Sequence, residues 1–341
     1  MILSKVLVTG GAGYIGSTLV RLLLEKGYEV KVVDRLFFGE KPLSEIENKI
    51  ELIKEDIRDV RKEIFEDVDT VMDLAAISND PSGELDKQKT LDINYLGRCR
   101  VAHLAKLSGV KRYILASSCS VYGFQDGILT ESSNVNPLTT YAEANYLAEK
   151  GILPLGDENF CVTALRQATV FGYSHRMRFD LVVNGMVGAY YKYGHFNLLR
   201  DGTQWRPHIY VKDTARAFIA VMEGDKAKVN KEIFNIGSND LNIQILELGE
   251  RICKGIEKPF KFIWYGDTDK RSYRVNFDKI NKALGFKTKY NVEDAAKEIW
   301  EKLEEKSLDW DDPTTRTVNW YDTLINWNLK TKQILRNGEI L

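Results

Sequence analysis

The chain has no excess of charge: 48 lysines and arginines stand against 49 aspartates and glutamates in 341 residues. That balance offers no footing for nucleic acid, which proteins hold largely by neutralising phosphates. Cysteine is scarce too. Cys99, Cys119, Cys161 and Cys253 lie far apart with no CxxC spacing, which argues against a zinc site and a disulfide framework and suits reduced thiols in a cytoplasm. The four histidines, His103, His175, His195 and His208, show no spacing that suggests a metal. No apolar run approaches the roughly 18 residues of a membrane span, and the N-terminal apolar stretch reads as the strand before a glycine loop rather than a signal peptide. Nowhere do Pro, Gly and Ser gather into a linker, and there is no repeat or low-complexity tract. These absences leave a cytosolic protein with no nucleic-acid, membrane or metal partner.

What is present is a globular composition, 44% hydrophobic and 28% charged. Short β-branched runs alternate with helical patterns: 5–9, 14–26, 30–34, 50–53, 68–74, 92–108, 113–116, 141–150 and 162–165. Such alternation predicts an α/β fold, a doubly wound parallel sheet with helices on both faces. The rhythm then becomes irregular. Residues 1–165 are expected to form a dinucleotide-binding domain to which 205–237 return, and 166–341 mainly a smaller α/β lobe for substrate, with a ligand cleft between.

The first strand runs into Thr9-Gly10-Gly11-Ala12-Gly13-Tyr14-Ile15-Gly16 and a helix follows, the context in which a GxxGxxG pattern seats a pyrophosphate on backbone N–H groups. Gly10 permits the turn, Gly13 lets backbone approach phosphate, and Gly16 lets helix and strand pack closely. Asp34 ends the next strand 18 residues past Gly16, where its carboxylate would accept hydrogen bonds from an adenosine ribose and repel a 2′-phosphate. That favours NAD over NADP, with Arg35 beside it as the residue that speaks the other way. Asp56, with Ile57, follows a third strand and would reach the adenine or cap a turn.

Strand 113–116 leads into Ser117-Ser118-Cys119-Ser120-Val121-Tyr122-Gly123, which places hydroxyls at the carboxyl edge of the sheet, and Tyr141 opens a later helix. A serine hydroxyl and a phenol converging on one carbinol can remove its proton while hydride leaves for a nicotinamide. With TGGAGYIG at 9–16, Leu74-Ala75-Ala76 closing the fourth strand, Asn94 in the next helix, SSCSVYG at 117–123, Tyr141 and Arg206-Pro-His-Ile-Tyr-Val-Lys-Asp213, the chain resembles an extended short-chain dehydrogenase/reductase of the nucleotide-sugar epimerase and dehydratase group. The match spans nearly the whole length.

The resemblance implies NAD as cofactor, a nucleoside-diphosphate sugar as substrate and a UDP-glucose 4-epimerase-like reaction through a 4-keto sugar. Ser118 matches the substrate-orienting Ser/Thr and Tyr141 the acid/base tyrosine. Asn145 falls where the family has a lysine that holds the nicotinamide ribose and lowers the tyrosine pKa. An amide can bond ribose hydroxyls but carries no charge, and a phenol with pKa near ~10 is a poor base without a cation. Lys150 lies about half a turn off the Tyr141 face, which leaves the nicotinamide as the only cation the assignment places nearby. Three accounts of Asn145 stay open: slow or differently assisted chemistry, replacement of an original lysine, or a site that binds without reacting. On this reasoning Asn145→Lys is expected to raise turnover and shift its pH profile downward.

On the substrate side the resemblance assigns Thr169, in the segment Leu165–Gly172, to the approach to the sugar site. Asn184 and Arg206 match residues on the substrate diphosphate, Arg271 or Arg274 would complete that pocket, and Asn79 lies in a loop over the sugar. Arg176 and Arg178 are weaker candidates. A dehydratase would carry an Asp-Glu pair directly after the Ser/Thr; Cys119 and Ser120 stand there instead, and Ser120 joins Ser118 on the substrate side. That favours epimerisation or simple C4 oxidoreduction, with a catalytically reduced binding protein as the rival from another class. The tail with Trp310, Trp320, Tyr321 and Trp327 reads as core or interface. Helices 92–108 and 141–150 resemble the family's dimer-forming pair, so a homodimer is expected.

Overall fold

The computed structural model describes residues 4–267, 272–336 and 338–339. Seven parallel strands form the central sheet: β1 (Lys5–Thr9), β2 (Glu29–Asp34), β3 (Ile50–Lys54), β4 (Thr70–Asp73), β5 (Arg112–Ser118), β6 (Cys161–Gln167) and β7 (Glu232–Ile236). Their spatial order is β3-β2-β1-β4-β5-β6-β7. β1 pairs with β2 on one side (Val8 opposite Val32) and with β4 on the other (Val8 opposite Met72), so the order reverses between β1 and β4. In doubly wound sheets that reversal opens a crevice at the carboxyl ends of the strands. Val6, Leu7, Val8, Val71, Met72 and Leu115 are fully buried, as expected of strands covered on both faces. The α/β class and the doubly wound sheet expected from the alternation are both present.

β7, from late in the chain, joins the edge beside β6, with Phe234 opposite Leu165, and the helix Val211–Glu223 packs against the helix Tyr14–Glu25. A second hydrophobic core gathers Phe171, Val183, Val187, Leu198, Leu248, Ile252 and Ile299. Over it lies a three-stranded sheet of Thr169–Phe171, Trp205–Tyr210 and Asn242–Gln244. The hydroxyl of Tyr14, at the start of the first helix, donates to the Gly172 carbonyl at 2.6 Å and accepts from Asn184 at 3.1 Å. That contact ties the glycine loop to the segment around this second core.

Between the fourth and fifth strands the expected helix 92–108 begins as a π-helical turn, Asp92–Gly97, and continues as a regular helix, Arg98–Leu107. Asn94 holds this turn to the loop after β4: its amide donates to the Ile77 carbonyl and accepts from the Ile77 N–H, both at 2.8 Å. No helix among the described residues is long and apolar enough to cross a membrane.

Candidate active site

The crevice at the reversal is a cavity of ≈ 1140 Å³, its open mouth included. The glycine loop forms its floor. Gly10 has φ +68°, and a side chain there would meet the Ala75 backbone at 2.8 Å; a Cβ on Gly16 would lie 2.1 Å from the Gly10 carbonyl oxygen. The Gly13 N–H donates to that same carbonyl at 3.0 Å, so the turn closes on itself. Asp34 accepts the Ala12 and Leu36 N–H groups at 2.9 and 2.7 Å, and burial pushes its carboxyl above the usual range. Asp56, despite a burial that would raise it, is held well below the usual range by hydrogen bonds from Arg58 and Arg35. Arg35 thus faces Asp56, 2.7 Å away.

Gly10, Gly13, Tyr14, Ile15, Gly16, Asp34, Arg35, Asp56, Ile57, Leu74, Ala75, Ala76 and Tyr141 all line this cavity. Asn94 and Asn145 do not. Asn94 is fully buried on the Ile77 backbone, and Asn145, 1% exposed, sits behind the wall. Its Oδ1 accepts from Arg98 Nη1 at 3.0 Å and its Nδ2 donates to the Tyr141 carbonyl at 2.9 Å, so the amide expected to face a ribose has both atoms engaged within the protein.

Tyr141 stands at the inner end of the cavity, one residue into the helix Thr140–Ile152, whose start is capped by Thr139. Burial raises its phenol and Asp80 raises it further; Arg98, the neighbouring Ser118 hydroxyl and Arg178 all pull it down. The expectation that only a nicotinamide would bring positive charge near Tyr141 is therefore corrected: two guanidiniums do so. Lys150 is exposed and its ammonium lies over the Tyr146 ring, as its helical position requires.

Ser118 caps the turn Cys119–Tyr122 by accepting from the Ser120 N–H at 3.1 Å and from the Ser120 hydroxyl at 2.8 Å. Asn79, at φ 78°, caps the short helix after β4 and donates to Asp180 at 3.0 Å. Thr169 opens a strand beside Trp205–Tyr210, which carries Arg206, while the Arg274 guanidinium lies 5.3 Å from the Trp205 ring centre. None of these residues lines the cavity itself. Asn184 is fully buried and holds the Gly172 N–H, Tyr14 and the Arg178 carbonyl. Arg271 lies outside the described residues.

The weaker candidates Arg176 and Arg178 also line the cavity, together with Tyr321 of the tail. Arg178 is clamped to Asp180 through two contacts, 3.1 and 2.6 Å, and donates to Ser78 at 3.1 Å. Arg176 stacks 3.6 Å over the Phe38 ring; burial lowers its pKa to about 9, and its buried Nε has no hydrogen-bond partner. Tyr321 of the tail packs on Phe37 and Phe38 and lines the mouth of the cavity, 283 residues from the loop that Trp320 bonds. The tail, expected as core or interface, contributes to the cavity wall. Among the described residues no group of three or more His, Cys, Asp or Glu is placed to hold a metal.

A doubly wound sheet with a glycine-lined crevice at its reversal and a carboxylate after the second strand defines a dinucleotide-binding fold. Residues 6–237 match the NAD dependent epimerase/dehydratase family, and the chain belongs to it. It is 31% identical over 321 residues to UDP-glucose 4-epimerase of Lactobacillus helveticus, covering 87% of this chain and 96% of that one. It is 30% identical over 306 residues to UDP-glucuronic acid decarboxylase 6 of Arabidopsis thaliana, 84% and 85% of the two chains. Among solved structures, MoeE5 in complex with UDP-glucuronic acid and NAD superposes with a TM-score of 0.77 at 26% identity, over 89% of this chain and all of that one. The cavity fits the family's cofactor: only glycine is accommodated at Gly10 and Gly16, so the loop keeps bare backbone on the wall where a diphosphate would lie, and the Arg176 side chain lines the same cavity.

Proposed function

We propose that this protein is an NAD-dependent nucleotide-sugar 4-epimerase. The observation that carries the proposal is the Tyr141 phenol on the wall of a glycine-lined cavity, with the Ser118 hydroxyl near enough to lower its pKa. When bound, the nicotinamide would contribute reversible acceptance of the hydride from C4 of the sugar. Tyr141, as phenolate, takes the proton of the C4 hydroxyl while Ser118 holds the oxygen; the same phenol returns it once the keto sugar has turned over. Asp34 accepts the adenosine ribose hydroxyls, and the N–H groups at the start of the helix Tyr14–Glu25 face the diphosphate. Ser120, Thr169, Asn79, Arg206 and Arg274 are assigned to the sugar and its diphosphate.

The first step, oxidation at C4, also serves the decarboxylases among the relatives. Cys119 and Ser120 offer no carboxylate for elimination, which favours returning the hydride over dehydration. A panel of UDP-, GDP-, CDP- and dTDP-sugars, UDP-glucuronic acid included, decides the matter. An epimerised sugar supports the proposal, loss of carbon dioxide makes the protein a decarboxylase, and binding with neither near-ultraviolet NADH absorbance nor product makes it a binding protein. We further assign the protein to the cytoplasm and to a homodimer through the helices Arg98–Leu107 and Thr140–Ile152. Leu96 and Leu107, 53% and 70% exposed, stand on one face three turns apart, and light-scattering mass would check the dimer.

A further inference from the structure

Arg98 is among the largest side chains in the protein to be fully buried, and it is a charged one. Taking a guanidinium out of water costs several kcal/mol unless its partners compensate. Its partners are mostly neutral: the Ala75 carbonyl at 3.1 Å from Nε and the Asn145 amide oxygen at 3.0 Å from Nη1. The nearest carboxylate, Asp73, is 3.9 Å away and already accepts the hydroxyls of Thr9 and Tyr113. A residue needed only for packing at this position would be served by an aliphatic side chain. The guanidinium instead reaches the cavity wall beside Tyr141, Leu74 and Ala75.

The other cation near the phenol is differently placed. Arg178 is neutralised by the two-point clamp of Asp180, whereas among the described residues the carboxylate nearest Arg98, Asp73, stays 3.9 Å away. Asn145 completes a chain of contacts from the guanidinium through its amide to the Tyr141 carbonyl. Its oxygen turns toward Arg98, and a lysine in its place would turn an ammonium there.

We propose that Arg98 supplies the positive charge for the acid/base tyrosine from the neighbouring helix, with Asn145 as the neutral partner that accommodates it, so that an arginine–asparagine pair across two helices does what one cation on the Tyr141 helix would do. Arg98 is thus a positioning and electrostatic residue rather than one that touches the reacting atoms. The inference rests on Tyr141 being the proton acceptor of the proposed reaction. The groups facing the phenol or Arg98 are Asp80, Ser118, Arg178 with its Asp180, Asp73 and Tyr113; of these, Asp80 opposes the effect of Arg98 on the phenol, and Asp73 is the carboxylate beside the guanidinium itself.

The test reads the phenol itself. Full-length protein is labelled with 13C at tyrosine Cζ and saturated with NAD+, the Tyr141 resonance being the one lost in Tyr141→Phe, and its ionisation midpoint is followed by NMR. Arg98→Met should raise the midpoint by about one pH unit or more, roughly a tenfold loss of phenolate at a given pH. Arg98→Lys should hold it near the starting value, and Arg98→Met combined with Asn145→Lys, which moves the cation to the other helix, should bring it back. Asp73→Asn keeps Arg98 and removes the carboxylate beside it, so it should lower the midpoint even if Arg98→Met does not fold. A midpoint unmoved by Arg98→Met, left high in the double variant, or unmoved by Asp73→Asn overturns the proposal. No sugar is needed, so a failed sugar panel refutes the epimerase reading while leaving this result standing, and an indifferent midpoint in an active enzyme refutes only Arg98.

Discussion

Replacing Gly16 by alanine isolates the cradle from the chemistry above it. The added Cβ would lie 2.1 Å from the Gly10 carbonyl oxygen and 2.7 Å from the Gly11 Cα, both backbone atoms that no rotamer change can move. Reaching ordinary contact requires the loop to open by about 1 Å, since interiors packed at crystal density have no slack to absorb it. That opening strains the Gly13 N–H to Gly10 carbonyl bond and the Gly10 N–H to Val33 carbonyl bond, 3.0 and 2.8 Å long. At roughly 1 kcal/mol for each bond and about 1–3 kcal/mol for overpacking, the substitution costs about 3–5 kcal/mol. A chain of this size should melt about 6–10 °C lower, at roughly 2 °C per kcal/mol. Because Gly10, Gly13 and Gly16 all line the cavity, NAD+ affinity should fall at least about tenfold. Thermal unfolding and titration calorimetry read the two effects. Gly27→Ala is the control: its φ of +84° is strained for alanine, yet nothing lies within 4 Å, so it should cost about 1–2 kcal/mol and leave NAD+ binding intact. If Gly16→Ala melts within about 2 °C of the parent and binds NAD+ as tightly, the account of the loop as a backbone cradle is wrong.

Tyr141→Phe should leave NAD+ binding unchanged and reduce turnover of an accepted UDP-sugar by about 10²–10⁴-fold, the range for losing a positioned acid/base; a loss under tenfold would remove the phenol from the mechanism. His208 is fully buried, and burial lowers its pKa from 6.5 to about 4. A depressed folded-state pKa means the unfolded chain binds the proton first, so stability present above pH 6.5 is lost as pH falls toward 4. Between pH 7 and pH 5 that loss is about 2 kcal/mol. His208→Phe should lack this part of the pH dependence in urea melts, and a variant that loses the same stability over that range would contradict the assignment.

The fold was legible because strand and helix periods repeat cleanly: the helix expected over 141–150 spans Thr140–Ile152, and the strand expected over 162–165 spans Cys161–Gln167. The glycine loop and Asp34 were legible for the same reason, since their partners lie within one βαβ unit. The π turn was not. An extra residue in one turn leaves no mark on hydrophobic spacing; here it accompanies Asn94 gripping the Ile77 backbone and Gly97 lying against the Asp92 carbonyl. Tyr321 on Phe37 and Arg178 on Ser78 were hidden by sequence separation, for no local pattern encodes a contact across 100 residues or more. Arg98 had one available signal. It follows Asn94 by four positions in an expected helix, so it shares that residue's inward face.

That contact reverses what a lysine at 145 should do. Judged from its own helix, Asn145→Lys adds a missing cation and moves the pH profile of turnover downward. In the structure the new ammonium would enter a position 1% exposed with the Arg98 guanidinium where Nη1 now bonds the amide at 3.0 Å. Two like charges at about 4 Å repel by roughly 4 kcal/mol near a protein surface, and more in a buried position. Repulsion of that size equals about three pKa units, enough to bring a lysine from about 10.4 to near neutrality. The lysine then enters neutral over much of the working range, or displaces Arg98 toward Asp73, and in neither case does the phenol gain a full charge. Asn145→Lys alone should therefore leave the pH profile of UDP-sugar turnover near that of the parent and lower the melting temperature. Only with Arg98→Met should the lysine take over as the cation. A clear downward shift in the single variant, with undiminished stability, would mean that the Tyr141 site lacks a cation after all.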